Sequence, residues 1–238
     1  TPYSPTALES AKFLPPSWEH LLGTDNFGRD IFSRVVDGAG TTFFVAVCVV
    51  AIGCAAGVII GSLCGYYGGV PDLILTRVCD SITAFPAFLL ALVIVSVAGS
   101  STYNIILALG ILFIPSFARI VRGEFARCRE LNYTKSAKLM GAGGFRILFR
   151  HILPNTFPVL LSAITIGFNN AVLSEASMSF LGIGVQPPDA SLGSMLSDSQ
   201  IYLKSAPWYA LGTGGAIILL ILGFGLLSEG LQKNARRR

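Results

Sequence analysis

A 238-residue chain with 53% hydrophobic residues, only 13% charged ones and a mean hydropathy of +0.67 is too apolar to be a water-soluble globular domain. Several of its apolar runs approach the length needed to cross ~30 Å of hydrocarbon, so the composition points to an integral membrane protein. The net charge of +4 is gathered in a 119–150 segment and in the tail Lys233, Arg236, Arg237 and Arg238, a positive-inside pattern in which the bilayer, not nucleic acid, is the expected partner.

Residues 1–20 hold four prolines, start with Thr1 and lack the apolar core of a signal peptide, so the chain is expected to begin inside a longer protein. The segment 1–40 is read as extracytoplasmic. Within it Trp18 to Asp37 is mildly acidic, and Ile31, Phe32, Val35 and Val36 predict a short amphipathic helix lying on the surface. A first span follows over about 41–66, with Gly53, Gly57, Gly61 and Gly65 at four-residue steps, a ridge that lets another helix of the chain approach closely. The second span covers about 81–98 with Pro86 near its start, and Arg77 and Asp80, three apart, are placed to pair at the membrane edge. The third covers about 104–121; Pro115 in it reads either as a bending point for a gate or as a tolerated transmembrane proline.

The loop 122–155 carries most of the positive charge. Glu130 to Met140 is rich in helix formers, Gly141, Gly143 and Gly144 permit a bend, and Phe145 to Leu153 resumes the helix before Pro154 is expected to stop it. On the second piece Phe145, Leu148, Phe149 and Ile152 share one apolar face. A fourth span, about 156–176, contains Asn169 and Asn170 near mid-depth and Glu175 toward its far end, polar groups that serve either interhelical hydrogen bonds or a water-filled path. The stretch 177–207 is expected outside, dipping back as a re-entrant scoop through Phe180, Leu181 and Ile183. The last span, about 208–227, opens with Trp208 and Tyr209 at one interface, and the basic tail 229–238 puts the C-terminus in the cytoplasm. Five spans then leave Thr1 outside, and a sixth upstream span is the simplest repair.

The chemistry that is missing narrows the function. Cys48, Cys54, Cys64, Cys79 and Cys128 form no CxxC pair and sit mostly in apolar runs, and His20 and His151 are far apart, so no metal site is expected. There is no G-x-x-x-x-G-K-[ST] loop, nucleophile elbow or H-E-x-x-H helix, hence no catalytic residue is assigned and no cofactor is expected on this chain. Two classes remain: a passive half-pore driven through its basic loop by partner ATPases, and a self-contained secondary transporter or channel. The second favours inverted repeats, and none is evident. An intramembrane enzyme ranks third.

Lys135-Ser136-Ala137, then Gly141, then the close His151-Ile152-Leu153-Pro154, resembles the EAA loop of the membrane subunits of ATP-binding-cassette (ABC) importers. Lys135 stands where that loop usually has glutamate, and His151 where it has isoleucine. The stretches LLGTDNFGRDIFSRVVDGA at 21–39 and EASMSFLGIGVQPPDASLGSML at 175–196 narrow the resemblance to the peptide and nickel branch. It implies an all-α polytopic bundle of the type I importer permease kind, with six spans in the full-length protein, in the plasma membrane. It also implies a second homologous permease, two ABC ATPases that carry ATP and Mg, and an extracytoplasmic binding protein that delivers di- or oligopeptides, with nickel or metal chelates as alternative cargo. On this resemblance Lys135, Ser136, Ala137, Met140, Gly141, Phe145, His151, Leu153 and Pro154 form the ATPase-coupling loop. Ser136, Ala137 and Gly141 would keep its helix slim, Lys135 would pair with an acid on the ATPase, and Leu153 and Pro154 would fix the return into the membrane. Asn169, Asn170, Glu175 and Pro115 are the candidates for the substrate path or gate.

Overall fold

The computed structural model describes residues 3–7 and 11–235; Arg236, Arg237 and Arg238 of the basic tail lie outside the described residues. These residues form helices joined by short turns, with one isolated antiparallel bridge between Thr24 and Asp30. Among the described residues four helices are long and apolar enough to cross a membrane, and a bent pair brings the number to five if it is counted as one broken span.

Helix α1 runs unbroken from Ile31 to Tyr67. Its 37 residues reach about 55 Å, well beyond a hydrocarbon core. The separate surface helix expected at Ile31–Val36 is therefore the first turns of the span itself. Asp30 caps it, its Oδ2 accepting the Ser33 N–H at 2.8 Å, and no proline interrupts it. Gly38, which could have loosened the helix, lies against the backbone of a later helix, where a Cβ would come 3.2 Å from the Ser191 carbonyl carbon.

Helix α2 (Gly69–Thr83) and helix α3 (Ala87–Ala98) meet at an angle of 80°. Pro86 lacks an N–H and pushes Phe85 out of helical geometry, so the expected single span at 81–98 is two legs. Helix α4 (Thr102–Arg129) holds α2 in place: Asp72 forms a bidentate pair with Arg122, and Asp80 meets Arg119 at 3.4 Å. Asp80 thus pairs across helices rather than with Arg77, because α4 brings a guanidinium to it from outside its own helix.

The glycine ridge of α1 faces α4. A Cβ on Gly53 would lie 2.9 Å from Phe113 Cβ, one on Gly57 2.5 Å from Phe117 Cβ, one on Gly61 2.5 Å from the Ala118 carbonyl oxygen and one on Gly65 2.5 Å from that of Arg122. The two backbones approach this closely only because four side chains are missing along the seam.

α4 continues past the predicted span end at Val121 as a stalk to Arg129, followed by helix α5 (Asn132–Leu139). The chain then turns into α6 (Gly144–Arg146), a π-helical turn (Ile147–Ile152) and α7 (Leu153–Phe180), one 37-residue helix over Gly144–Phe180. Pro154 does not stop it. The wider π turn lies immediately before Pro154, with Leu153 N–H reaching back five residues to the Leu148 carbonyl, so the proline ring is spared the tight turn it would obstruct.

Beyond α7, helix α8 (Leu192–Ser199) folds back on the bundle, capped by Ser191, and α9 (Pro207–Ala235) closes it. The return into the core is made by Val185, Ala190, Leu192 and Met195, all buried, while Leu181 of the expected scoop is exposed. Tyr209 is fully buried and Trp208 covers Gly23, so this pair belongs to the core rather than to an interfacial belt. The main core joins α1, α4, α7, α8 and α9, with Phe168 stacked on Phe224 at 3.8 Å between centroids. A second, smaller cluster of Val121, Phe125, Cys128, Ala137, Ile147, Leu148 and Ile152 lies under the basic loop.

Candidate functional site

The basic loop folds into a knob on the α4 stalk. α5 ends in a Schellman turn: Gly141 N–H donates to the Lys138 carbonyl and Ala142 N–H to that of Ala137, both at 3.0 Å, with Gly141 at φ +82°. Such a turn reverses the chain in two residues, and its left-handed position suits glycine because it has no Cβ. The turn leaves Leu139 at 89%, Met140 at 82% and Phe145 at 74% exposure, a bare apolar tip flanked by Lys135, Lys138 and Arg146. Phe145 packs on Phe149, 4.5 Å between ring centroids.

Other loop residues face inward. Ala137 is buried, so it fastens α5 to the stalk rather than keeping an outer face slim; Ser136 and Gly141 are the small residues on the outside. Lys135 Nζ already has an acidic partner in its own chain, Glu130 at 3.5 Å. The face predicted from Phe145, Leu148, Phe149 and Ile152 is split, with Leu148 and Ile152 buried and the two phenylalanines outside, because the π turn changes the angular step that a 3.6-residue period assumes. His151 and Leu153 are half-buried where the knob joins α7, and Pro154 is exposed. Through Thr134, whose hydroxyl donates to the Cys128 carbonyl at 2.8 Å, α5 is also tied to the end of α4.

At membrane depth α3, α4 and α7 enclose a cleft of about 410 Å³. Its walls are mostly apolar, including Phe113, Phe117 and Ile166, and its polar groups are Ser116, Asn170, Ser174 and Ser177. Asn170, Ser174 and Ser177 fall at i, i+4 and i+7 on α7, one polar stripe on an apolar helix.

Residues 57–238 match the family of binding-protein-dependent transport system inner membrane components. The chain belongs to that family. Over 217 residues this permease is 42% identical to the dipeptide transport system permease protein DppC of Alkalihalophilus pseudofirmus, covering 91% of this chain and 71% of the relative. It is 41% identical to the glutathione transport system permease protein GsiD of Pectobacterium atrosepticum, covering 91% and 72%. Among solved structures it resembles the inward-facing methionine ABC transporter MetNI, with a TM-score of 0.70, 18% identity, and coverage of 86% of this chain and 97% of that one. At that identity the likeness is one of fold.

Of the four path candidates, the permease brings only Asn170 into the cleft. Asn169, one residue earlier, is not among the lining residues, and its Oδ1 is buried without a hydrogen-bond partner among the described residues. Pro115 is buried inside a continuous α4. Glu175 is fully buried beside Thr42 and Ser191, its Oε1 accepting the Ser179 hydroxyl at 2.6 Å while Ser179 Oγ accepts the Val185 N–H at 3.1 Å. It is a fastening for the loop after α7, not a lining group. Ser116, Ser174 and Ser177 carry no prediction from sequence, because hydroxyl groups cost less in lipid than amides and carboxylates; for the two serines on α7, the successive four- and three-residue steps from Asn170 are the available signal.

Proposed function

We propose that this permease forms half of the pore of an ATP-driven importer of short peptides. Its α5 knob lies in the cytoplasm, on the side of the cationic residues, and α8 faces outward. The C-terminal end of α9 then lies in the cytoplasm too, since Gln232 and Ser228 meet Ser162 and Thr165 in the first half of α7, the half next to the knob. Two partner ATPases hold ATP and Mg, a second homologous permease completes the pore, and an extracytoplasmic binding protein delivers the cargo. Peptide cargo is supported by relatives named for dipeptide and glutathione transport at about two-fifths identity across nine-tenths of the chain.

The observation that carries the coupling role is the exposed Leu139, Met140 and Phe145 tip on a helix whose other side is packed into the second apolar cluster. An apolar tip in water is costly unless a groove receives it. Movement of the ATPases on nucleotide displaces α5, the packed cluster passes the displacement to α4 and to the Gly144–Phe180 helix, and these two helices wall the cleft. The cleft thereby opens to one side or the other.

The test is co-purification of the full-length permease with its genomic neighbours, followed by uptake into liposomes. Wild type should bring an ATPase and a second permease and take up dipeptide only with ATP and binding protein. Leu139→Ser/Met140→Ser should insert normally but lose the ATPase. ATP-independent uptake by the permease alone would overturn the reading in favour of a secondary transporter.

A further inference from the structure

Beside the knob, α1, α4 and α5 meet around a second cavity of about 590 Å³. Tyr66 and Tyr67, the last residues of α1, stand edge to face 5.0 Å apart on its wall. Arg129 ties the end of α4 to them, its NH1 donating to the Tyr66 carbonyl at 3.2 Å. Thr134 and Lys138, four apart on α5, share the face that looks into the cavity, with Lys135 at its edge. Ser136, Leu139 and Met140 share the outer face.

The charged lining is three cations against one carboxylate. Glu130 reaches two of them, Arg129 at 3.1 Å and Lys135 at 3.5 Å, and among the described residues Lys138 has no carboxylate partner. The cavity therefore carries excess positive charge beside a pair of tyrosine rings at the end of a membrane span, where phospholipid headgroups lie. Guanidinium and ammonium groups there match a phosphate diester. Exposed Val70, Leu73 and Ile74 begin three residues beyond Tyr67 and offer a surface to acyl chains.

We propose that this cavity binds a phosphate group, that of an anionic phospholipid headgroup, and so clamps the seam between the knob and the spans. The proposal rests on the cytoplasmic orientation given above. It would make the mobility of α5, and with it the coupling of transport to ATP, sensitive to the anionic lipid content of the inner leaflet.

The experiment is retention of matched phosphatidylglycerol and phosphatidylcholine by the detergent-purified assembly, read by native mass spectrometry for wild type, Arg129→Gln/Lys138→Gln, Lys138→Gln and Lys138→Arg. Wild type should favour phosphatidylglycerol by roughly 30-fold, the worth of two basic groups beside an anionic lipid. The double variant should retain both lipids equally, and Lys138→Arg should behave as wild type. If instead inorganic phosphate raises the melting temperature of wild type but not of Lys138→Gln, with no lipid preference, the phosphate site stands and its source is soluble. Lipid retention and phosphate response both indifferent to Arg129 and Lys138 would overturn the proposal. Neither readout needs ATP or peptide, so failure of the importer reading would show separately, as missing ATPase partners.

Discussion

Gly141 has open space around it, with nothing within 4 Å of a built Cβ, yet its φ of +82° belongs to the left-handed region. The penalty for a side chain here is conformational, about 1–2 kcal/mol, and not steric. Gly141→Asn should keep uptake close to wild type, because asparagine tolerates that region, whereas Gly141→Val should lose most of it while still inserting; equal uptake by the two would show that the turn is not what matters. Glu130, close by, sits on the surface, and a hydrogen bond from Arg129, then the charge of Lys135, hold its carboxyl below the ordinary value of 4.5. A depressed folded value means that this contact stabilises the knob fully above about pH 4.5 and is lost as pH falls through the lower folded value. The melting temperature of wild type should therefore fall more on acidification below pH 4.5 than that of Glu130→Gln, with no difference in slope between pH 6 and 8.

Between elements, the α1–α4 seam is a close contact that a single substitution can probe. Gly57→Ala would put a methyl group 2.5 Å from Phe117 Cβ and 2.9 Å from the Ala118 nitrogen, backbone that cannot step aside. Overpacking of this kind costs about 1–3 kcal/mol. Gly40→Ala in the same helix meets nothing within 4 Å and gains about 0.5–1 kcal/mol from reduced chain entropy. Thermal unfolding in detergent should thus move in opposite directions for the two variants, and a shared direction would refute the close packing. The π turn before Pro154 illustrates the same scale: a proline that reads as a stop is accommodated once the turn ahead of it widens, and the knob gains a continuous lever into α7.

For the molecule as a whole, the knob and the cleft lie at different depths but share α4 and the Gly144–Phe180 helix. Changes in the cleft should therefore affect what passes without affecting the engagement of ATP-hydrolysing partners. Asn170→Leu removes a polar group of the cleft and is expected to lower peptide uptake by tenfold or so, the usual worth of a lost hydrogen bond of about 1.4 kcal/mol, with ATPase co-purification unchanged. Unchanged uptake would exclude Asn170 from the path. Glu175→Gln, by contrast, should act through stability, since its carboxyl ties Ser179 and the loop to Val185.

By itself the sequence determined the membrane class, the positions of the long apolar runs, the α1 glycine ridge and the helix-turn-helix character of the basic loop. Each of these depends on composition or on a period along one helix, and neither needs knowledge of neighbours. Only the tertiary structure decided which polar residues face each other. Asp80 found Arg119 instead of Arg77, Glu175 was enclosed between α1, α7 and α8 while Asn170 faced the cleft, and Ala137 turned inward to the stalk. The reason is physical: in lipid a polar group is placed by whichever partner the packed helices bring to it, and helix packing is set by the absence of side chains on glycines and the bends at prolines, whose effects are felt far along the chain.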